Sequence, residues 1–167
     1  SVVDEGSTFW VEFALSEGPR PRLKLLLVDD DDLLRKSFML GFSMTFGKDQ
    51  VQSVAGAREA RDLLETTDID CIICDARMPG EDGASFLTYV YQEHPTCGRI
   101  LLTGDADQML LQRAINDARV DHVAYKPYNT DALAGLAQQI IEKKREASSE
   151  ESFKVRDWLL DGLASAD

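Results

Sequence analysis

Asp75 closes an apolar run, Cys71-Ile72-Ile73-Cys74-Asp75, and Met78-Pro79-Gly80 turns the chain just beyond it. An earlier run, Leu23 to Val28, ends in Asp29-Asp30, and two later runs end at Thr103 and at Lys126-Pro127. A carboxylate can attack phosphorus when nearby cations neutralise the oxygens of the incoming group. Three carboxylates, a hydroxyl and an ammonium gathered at one spot would make a phosphoryl-transfer site. Asp29, Asp30 and Asp75 together are tolerable mainly around a cation. Oxygen-only ligands, few in number, favour Mg²⁺, which keeps several waters and is completed by substrate phosphate. Asp75 then reads as the nucleophile, Lys126 as a point charge on one phosphoryl oxygen, and Thr103 as hydroxyl donor to another.

Each of these residues has a plainer reading when taken alone. The run Asp29-Asp30-Asp31-Asp32 suits a helix N-terminus, with Asp31 or Asp32 as its cap. Thr103 could be an ordinary strand-end hydroxyl and Lys126 a solvated surface charge. Their joint placement at the ends of four separate apolar runs is what favours chemistry.

The elements that must position them follow from the pattern. Strand-like and helix-like runs alternate five times: strand Leu23–Val28 and helix Asp32–Phe46; strand Val51–Val54 and helix Ala57–Glu65; strand Asp70–Cys74 and helix Ala84–Gln92. Strand Arg99–Leu102 and helix Asp107–Ala118 come next, then strand His122–Tyr125 and helix Thr130–Lys144. Such alternation implies βαβ crossovers and a parallel sheet covered on both faces. Near-continuous apolar strands such as Leu25-Leu26-Leu27-Val28 agree with burial on both sides. The expected fold is α/β, a doubly wound (βα)5 flavodoxin-like three-layer sandwich with a central five-stranded parallel sheet. In such a sheet all strand carboxyl ends share one edge, where ligands bind.

Residues 22–145 are assigned to this domain. Residues 1–21 precede it as a separate segment and linker, and residues 146–167 follow as an amphipathic extension carrying Phe153, Trp158, Leu159, Leu160 and Leu163. The polar stretch 146–151 reads as a hinge or as the frayed end of the last helix. The C-terminal segment could be a homodimer contact, a cover over the last helix, or a lead into a further domain. It is too short for a DNA-binding output domain.

The chain is 44% hydrophobic with a net charge of −12. That balance disfavours nucleic acid and anionic membranes as partners. No apolar stretch approaches a membrane span and no signal-peptide pattern opens the sequence, so a cytoplasmic protein without direct membrane contact is expected. Cys71 and Cys74 have a metal-like spacing, but residues three apart on a strand face opposite sides. Together with Cys97 they read as core filler.

Four blocks, Leu26-Leu27-Val28-Asp29-Asp30-Asp31, Cys74 to Gly83, Leu102-Thr103-Gly104 and Tyr125-Lys126-Pro127, resemble the signature of response-regulator receiver domains. The resemblance spans most of the chain, with the blocks in the family's order and spacing. It implies a two-component or phosphorelay signalling protein in which Asp75 takes a phosphoryl group from phosphohistidine, on a histidine kinase or a histidine phosphotransfer domain. It further implies Mg²⁺ held by Asp30, Asp75 and the backbone carbonyl of Arg77, with Asp29 acting through a metal-bound water. Thr103 and Lys126 would bind the phosphoryl group, and Pro127 would follow a cis peptide. A receiver of this kind catalyses its own phosphorylation and dephosphorylation without being a turnover enzyme. Docking would use the helix after Asp30 and the loops at the acidic edge, with Phe38, Met39 and Phe42 mostly in the core and some presented to a partner.

Val123 departs from the family, which carries an aromatic residue three before the lysine, so aromatic-swing coupling is in question; Tyr125 or His122 could partly replace it. Arg77 and Asp105 flank the path of a water attacking the acyl phosphate. They either pair across the site mouth or are independent exposed charges. The segment Gly6 to Leu15 is similar to the last strand of histidine-kinase ATP-binding domains, which implies the C-terminal receiver of a hybrid histidine kinase; an accidental edge strand is the other reading. His94 reads as a helix-end residue. Two competing functions are a receiver-like interaction module that is never phosphorylated and an aspartate-nucleophile phosphohydrolase. The second leaves the Asp75 block unexplained.

Overall fold

The computed structural model describes residues 23–104 and 108–164. Five strands and five helices alternate: β1 (Leu25–Val28), α1 (Asp32–Phe46), β2 (Val51–Val54), α2 (Ala57–Leu64), β3 (Cys71–Asp75), α3 (Gly83–Glu93), β4 (Gly98–Thr103), α4 (Gln108–Asn116), β5 (His122–Tyr125) and α5 (Thr130–Ala164). All four strand pairings are parallel, in the order β2-β1-β3-β4-β5. The order reverses direction between β1 and β3, and Asp29 and Asp75 leave the sheet on either side of that switch. Crevices at such points are where open α/β sheets bind ligands.

Alternation along each strand sorts the core into two layers. Leu26, Val28, Ile72, Cys74 and Leu101 face α2, α3 and α4, where they meet Ala60, Phe86, Leu87 and Ala114. Leu25, Leu27, Cys71, Ile73 and Ile100 face α1 and α5, against Phe38, Phe42, Leu133 and Ile141. Cys71 and Cys74 thus sit on opposite faces, and with Cys97 all three thiols are buried and unpaired. Burial pushes the Cys97 thiol up to about 12, so it stays protonated filler at neutral pH.

Local signals explain the helix ends that matter. Asp31 caps α1, its carboxylate accepting from Leu33 N at 2.9 Å and Leu34 N at 3.1 Å. Asp82 caps α3 through Ser85 N at 2.8 Å. His94 terminates α3, its N–H donating to the Val90 carbonyl at 2.8 Å.

Two sequence expectations change in the structure. β3 and β4 each run one residue beyond their apolar runs, so Asp75 and Thr103 are the last members of the sheet itself. The polar stretch 146–151 is neither hinge nor frayed end, because α5 continues unbroken to Ala164. No Gly or Pro interrupts residues 136–161. The Ser149 and Ser152 hydroxyls bond back to the carbonyls of Arg145 and Ser148, each at 2.9 Å, and are absorbed by the helix instead of breaking it. The Gly6–Leu15 strand and Asp105 lie outside the described residues.

Candidate functional site

At the carboxyl edge of the sheet, Asp29 follows β1, Asp75 ends β3, Thr103 ends β4 and Lys126 follows β5. Backbone hydrogen bonds lash these tips together. Ala76 N donates to Leu102 O at 2.7 Å and Lys126 N to Thr103 O at 2.8 Å. The peptide between Lys126 and Pro127 is cis.

The Lys126 ammonium crosses over β4 to the two buried acids. Its Nζ lies 2.5 Å from Asp75 Oδ1 and 3.2 Å from Asp29 Oδ2. Each carboxylate spends its other oxygen on the backbone. Asp31 N donates to Asp29 Oδ1 at 2.9 Å, and Arg77 N donates to Asp75 Oδ2 at 2.9 Å. Asp29 is only 1% exposed, and burial, aided by the charge of Asp75, raises its pKa despite Asp31 N–H and Lys126. Burial works against the Lys126 ammonium, but Asp75 and Asp29 outweigh it and hold its pKa above the ordinary lysine value.

The structure therefore brings Asp29, Asp75 and Lys126 into direct contact and places the buried Thr103 one strand from Asp75. Asp30 and Arg77 are exposed at the mouth. Among the described residues, no group of three or more His, Cys, Asp or Glu is placed to hold a metal ion. The donor set nonetheless fits Mg²⁺, which needs only one or two protein carboxylates and fills its shell with water. Two acids with a single ammonium between them are the hard-oxygen, charge-rich pair such an ion would take.

Several contributors escaped the sequence reading. The loop after Asp75 is held from two sides: Arg61 of α2 grips Glu81 at 2.5 and 2.8 Å, and Arg113 of α4 grips Asp82 at 3.0 Å. No periodicity signals such pairs. On α1, Phe38 and Phe42 are buried and Met39 partly so, as expected of core residues. The exposed apolar residues are instead Leu33, Leu40 and Met44. They recur at seven- and four-residue steps, a helical stripe visible in the sequence. Val123 packs on the α3/α4 layer, while Tyr125 on the same strand face is 56% exposed.

Residues 25–138 match the response regulator receiver domain family. The hydrogenase transcriptional regulatory protein HoxA of Cupriavidus necator is 33% identical over 122 residues, which is 71% of this chain and 24% of that protein. The C4-dicarboxylate transport transcriptional regulatory protein DctD of Rhizobium meliloti is 33% identical over 135 residues, 78% of this chain and 28% of that protein. This chain thus spans less than a third of those two relatives. Among solved structures, the signal receiver domain of an HD domain-containing protein from Pseudomonas fluorescens superposes with a TM-score of 0.72 at 28% identity, covering 75% of this chain and 99% of that one. A signal receiver domain of a histidine kinase from Syntrophus aciditrophicus gives 0.65 at 25% identity, covering 72% and 90%.

Proposed function

The chain belongs to the response regulator receiver domain family of two-component signalling, and from that premise we propose that Asp75 is its phosphoacceptor. The observation that carries the proposal is the single ammonium of Lys126 within 3.2 Å of both Asp75 and Asp29. In the transfer, an Asp75 carboxylate oxygen forms a bond to phosphorus while the P–N bond of a phosphohistidine breaks. The imidazole leaves and an acyl phosphate remains on Asp75. Lys126, already at the attacking carboxylate, follows the new negative oxygens, and the Thr103 hydroxyl donates to another of them. Asp29, Asp30, Asp75 and the Arg77 carbonyl are the groups that would hold Mg²⁺, whose charge neutralises phosphoryl oxygens when bound.

The phosphoryl donor in this reading is a histidine kinase or a histidine phosphotransfer domain. An apolar face on the donor's helix would suit Leu33, Leu40 and Met44 on α1, which are 78%, 70% and 84% exposed and run from the acidic edge down the helix. Unpaired thiols and a phosphohistidine partner are in keeping with the cytoplasm. For the parent protein, residues 6–15 support a hybrid histidine kinase.

Incubation with acetyl phosphate and Mg²⁺, read by intact-protein mass spectrometry, tests the assignment. The wild type should gain about 80 Da, as expected of one phosphoryl group on a side-chain oxygen, and Asp75→Asn should gain nothing. Equal labelling of both would move the acceptor elsewhere. No labelling of either would favour an interaction module, and sustained turnover of phosphate monoesters a phosphohydrolase.

A further inference from the structure

The sheet has a second charged edge, opposite the one that carries Asp75. At the amino ends of the strands a groove of about 760 Å³ opens between the loops before β3 and β4 and the middle of α5. Its apolar lining includes the buried Ile69, Cys97 and Ile141. Its cations are already engaged: Lys144 Nζ lies 3.2 Å from Asp121 Oδ1, and Arg145 Nη2 lies 2.8 Å from Asp70 Oδ1. The second oxygen of Asp70 accepts the Lys24 N–H at 2.7 Å. Asp68 and Glu93 also line the groove; both are exposed, and among the described residues their carboxylates take no hydrogen bond or ion pair. The uncompensated charge of the groove is therefore negative.

The chain enters the domain at this same place. Asp70 N donates to the Lys24 carbonyl at 2.9 Å while the Asp70 carboxylate takes the Lys24 N–H, so Lys24 is pinned to a residue of the groove wall. Leu23 packs against the core layer that includes Ile141. Immediately ahead of Leu23 the sequence reads Gly18-Pro19-Arg20-Pro21-Arg22, residues that lie outside the described ones. Two guanidiniums thus precede a groove whose free charges are two carboxylates. A chain spans at most about 3.3–3.6 Å per residue, so Arg22 and Arg20 stay within about 7 and 14 Å of Lys24 before their own side chains are counted. We propose that residues 18–22 of this chain dock in the groove, with Arg20 and Arg22 on Asp68 and Glu93, and strap the segment that enters the domain to α5, the helix that leaves it.

Exposed ion pairs alone contribute little. Docking here is intramolecular, at an effective concentration on the order of millimolar for so short a tether. Pro19 and Pro21 restrict residues 18 and 20 to extended backbone, which removes part of the ordering cost, and their rings suit the apolar lining. α5 is a firm wall for the strap, because Lys144 and Arg145 fix it to the acids that precede β5 and β3. A second copy of this chain would bring a net charge of −12 to an acidic rim, which disfavours it as the occupant. The groove and Asp75 lie at opposite ends of the strands, so the strap stands or falls independently of the phosphoryl chemistry.

A zero-length carbodiimide cross-linker, which joins amines to carboxylates, tests the docking in the full chain. Arg20→Lys and Arg22→Lys keep the charge and supply the amines, and linked peptides are read by mass spectrometry. Links from residues 20 and 22 should form to Asp68 and Glu93 within one chain, at a yield unaffected by about tenfold dilution. They should be lost in about 1 M salt, where the screening length falls to about 3 Å. A charge-reversed variant (Arg20→Glu, Arg22→Glu, Asp68→Lys, Glu93→Lys) should form the same links with the roles exchanged. Links made as readily to exposed acids off the groove, such as Glu65 and Glu142, would mean an undirected tether and overturn the proposal. Links found only between chains and fading on dilution would give the groove to a second copy, and would overturn it too.

Discussion

Asp29 and Asp75 are two like charges at a largely buried edge, and Lys126 is what makes that tolerable in the absence of a divalent ion. Replacing it strands both acids, and a buried charge that loses its partner is costly. Lys126→Ala should therefore lower unfolding stability by about 2 kcal/mol in chelator. Saturating Mg²⁺ should restore more stability to the variant than to the wild type, because the cation then supplies the neutralisation the ammonium gave. Denaturant titrations with and without Mg²⁺ measure both; an unchanged midpoint for Lys126→Ala would contradict the bridge. The sign in pH follows from the raised lysine pKa. The bridge contributes fully below the ordinary value of 10.5 and is lost as pH rises through the higher folded value. Legibility at this scale was uneven. Asp29, Asp75, Thr103 and Lys126 stood out because strand ends are marked by the abrupt switch from apolar to polar residues. Arg61, Arg113 and their partners Glu81 and Asp82 did not, because a long flexible cation on a helix looks the same in sequence whether it is paired or solvated.

Among the elements, α3 has the tightest seat. Gly83 opens it against the Asp75 carbonyl oxygen, a backbone atom that cannot step aside. Gly135, one turn into α5, has nothing within 4 Å of where a Cβ would stand. Gly83→Ala should cost about 1–3 kcal/mol by overpacking, and phosphorylation should slow as Asp75 shifts. Gly135→Ala should instead stabilise by about 0.5–1 kcal/mol through helix propensity alone. Thermal unfolding of the two variants distinguishes them, and an equal effect would mean that the close approach at Gly83 is not real. Periodicity located all five helices, since each amphipathic face repeats. It mistook the end of α5, because a Ser- and Glu-rich stretch reads as a breaker by composition. With no Gly or Pro to stop the helix, its hydroxyls bonded back onto carbonyls. Arg99 was equally opaque: it is 3% exposed, and its guanidinium joins the carbonyls of Cys97, Ala118 and Arg119 at 2.7 to 3.1 Å, pinning the loops under β4 and β5.

For the molecule as a whole, the proposed phosphoacceptor lies at the acidic edge, whereas the exposed stripe of Leu33, Leu40 and Met44 runs along α1 away from that edge. In the docking reading, that stripe meets the phosphoryl donor. Leu40→Glu should consequently leave labelling by acetyl phosphate unchanged, since a small donor needs no docking. The same change should slow transfer from a phosphohistidine-bearing partner by about tenfold, the scale of one apolar anchor lost from an interface. Parallel time courses with the two donors check this, and equal rates in both would place docking elsewhere.

Sequence alone determined the alternation of strand and helix, and with it the parallel sheet and the edge on which Asp29, Asp75, Thr103 and Lys126 had to emerge. Those properties are set by local hydrophobic period and by the handedness of crossovers, which need no knowledge of distant contacts. Only the tertiary structure decided that one ammonium bridges two acids, that Asp30 and Arg77 stay at the exposed mouth, and that Arg113 of α4 holds the loop of β3. Such contacts join residues far apart in the chain, and their existence depends on how separate helices seat on the sheet.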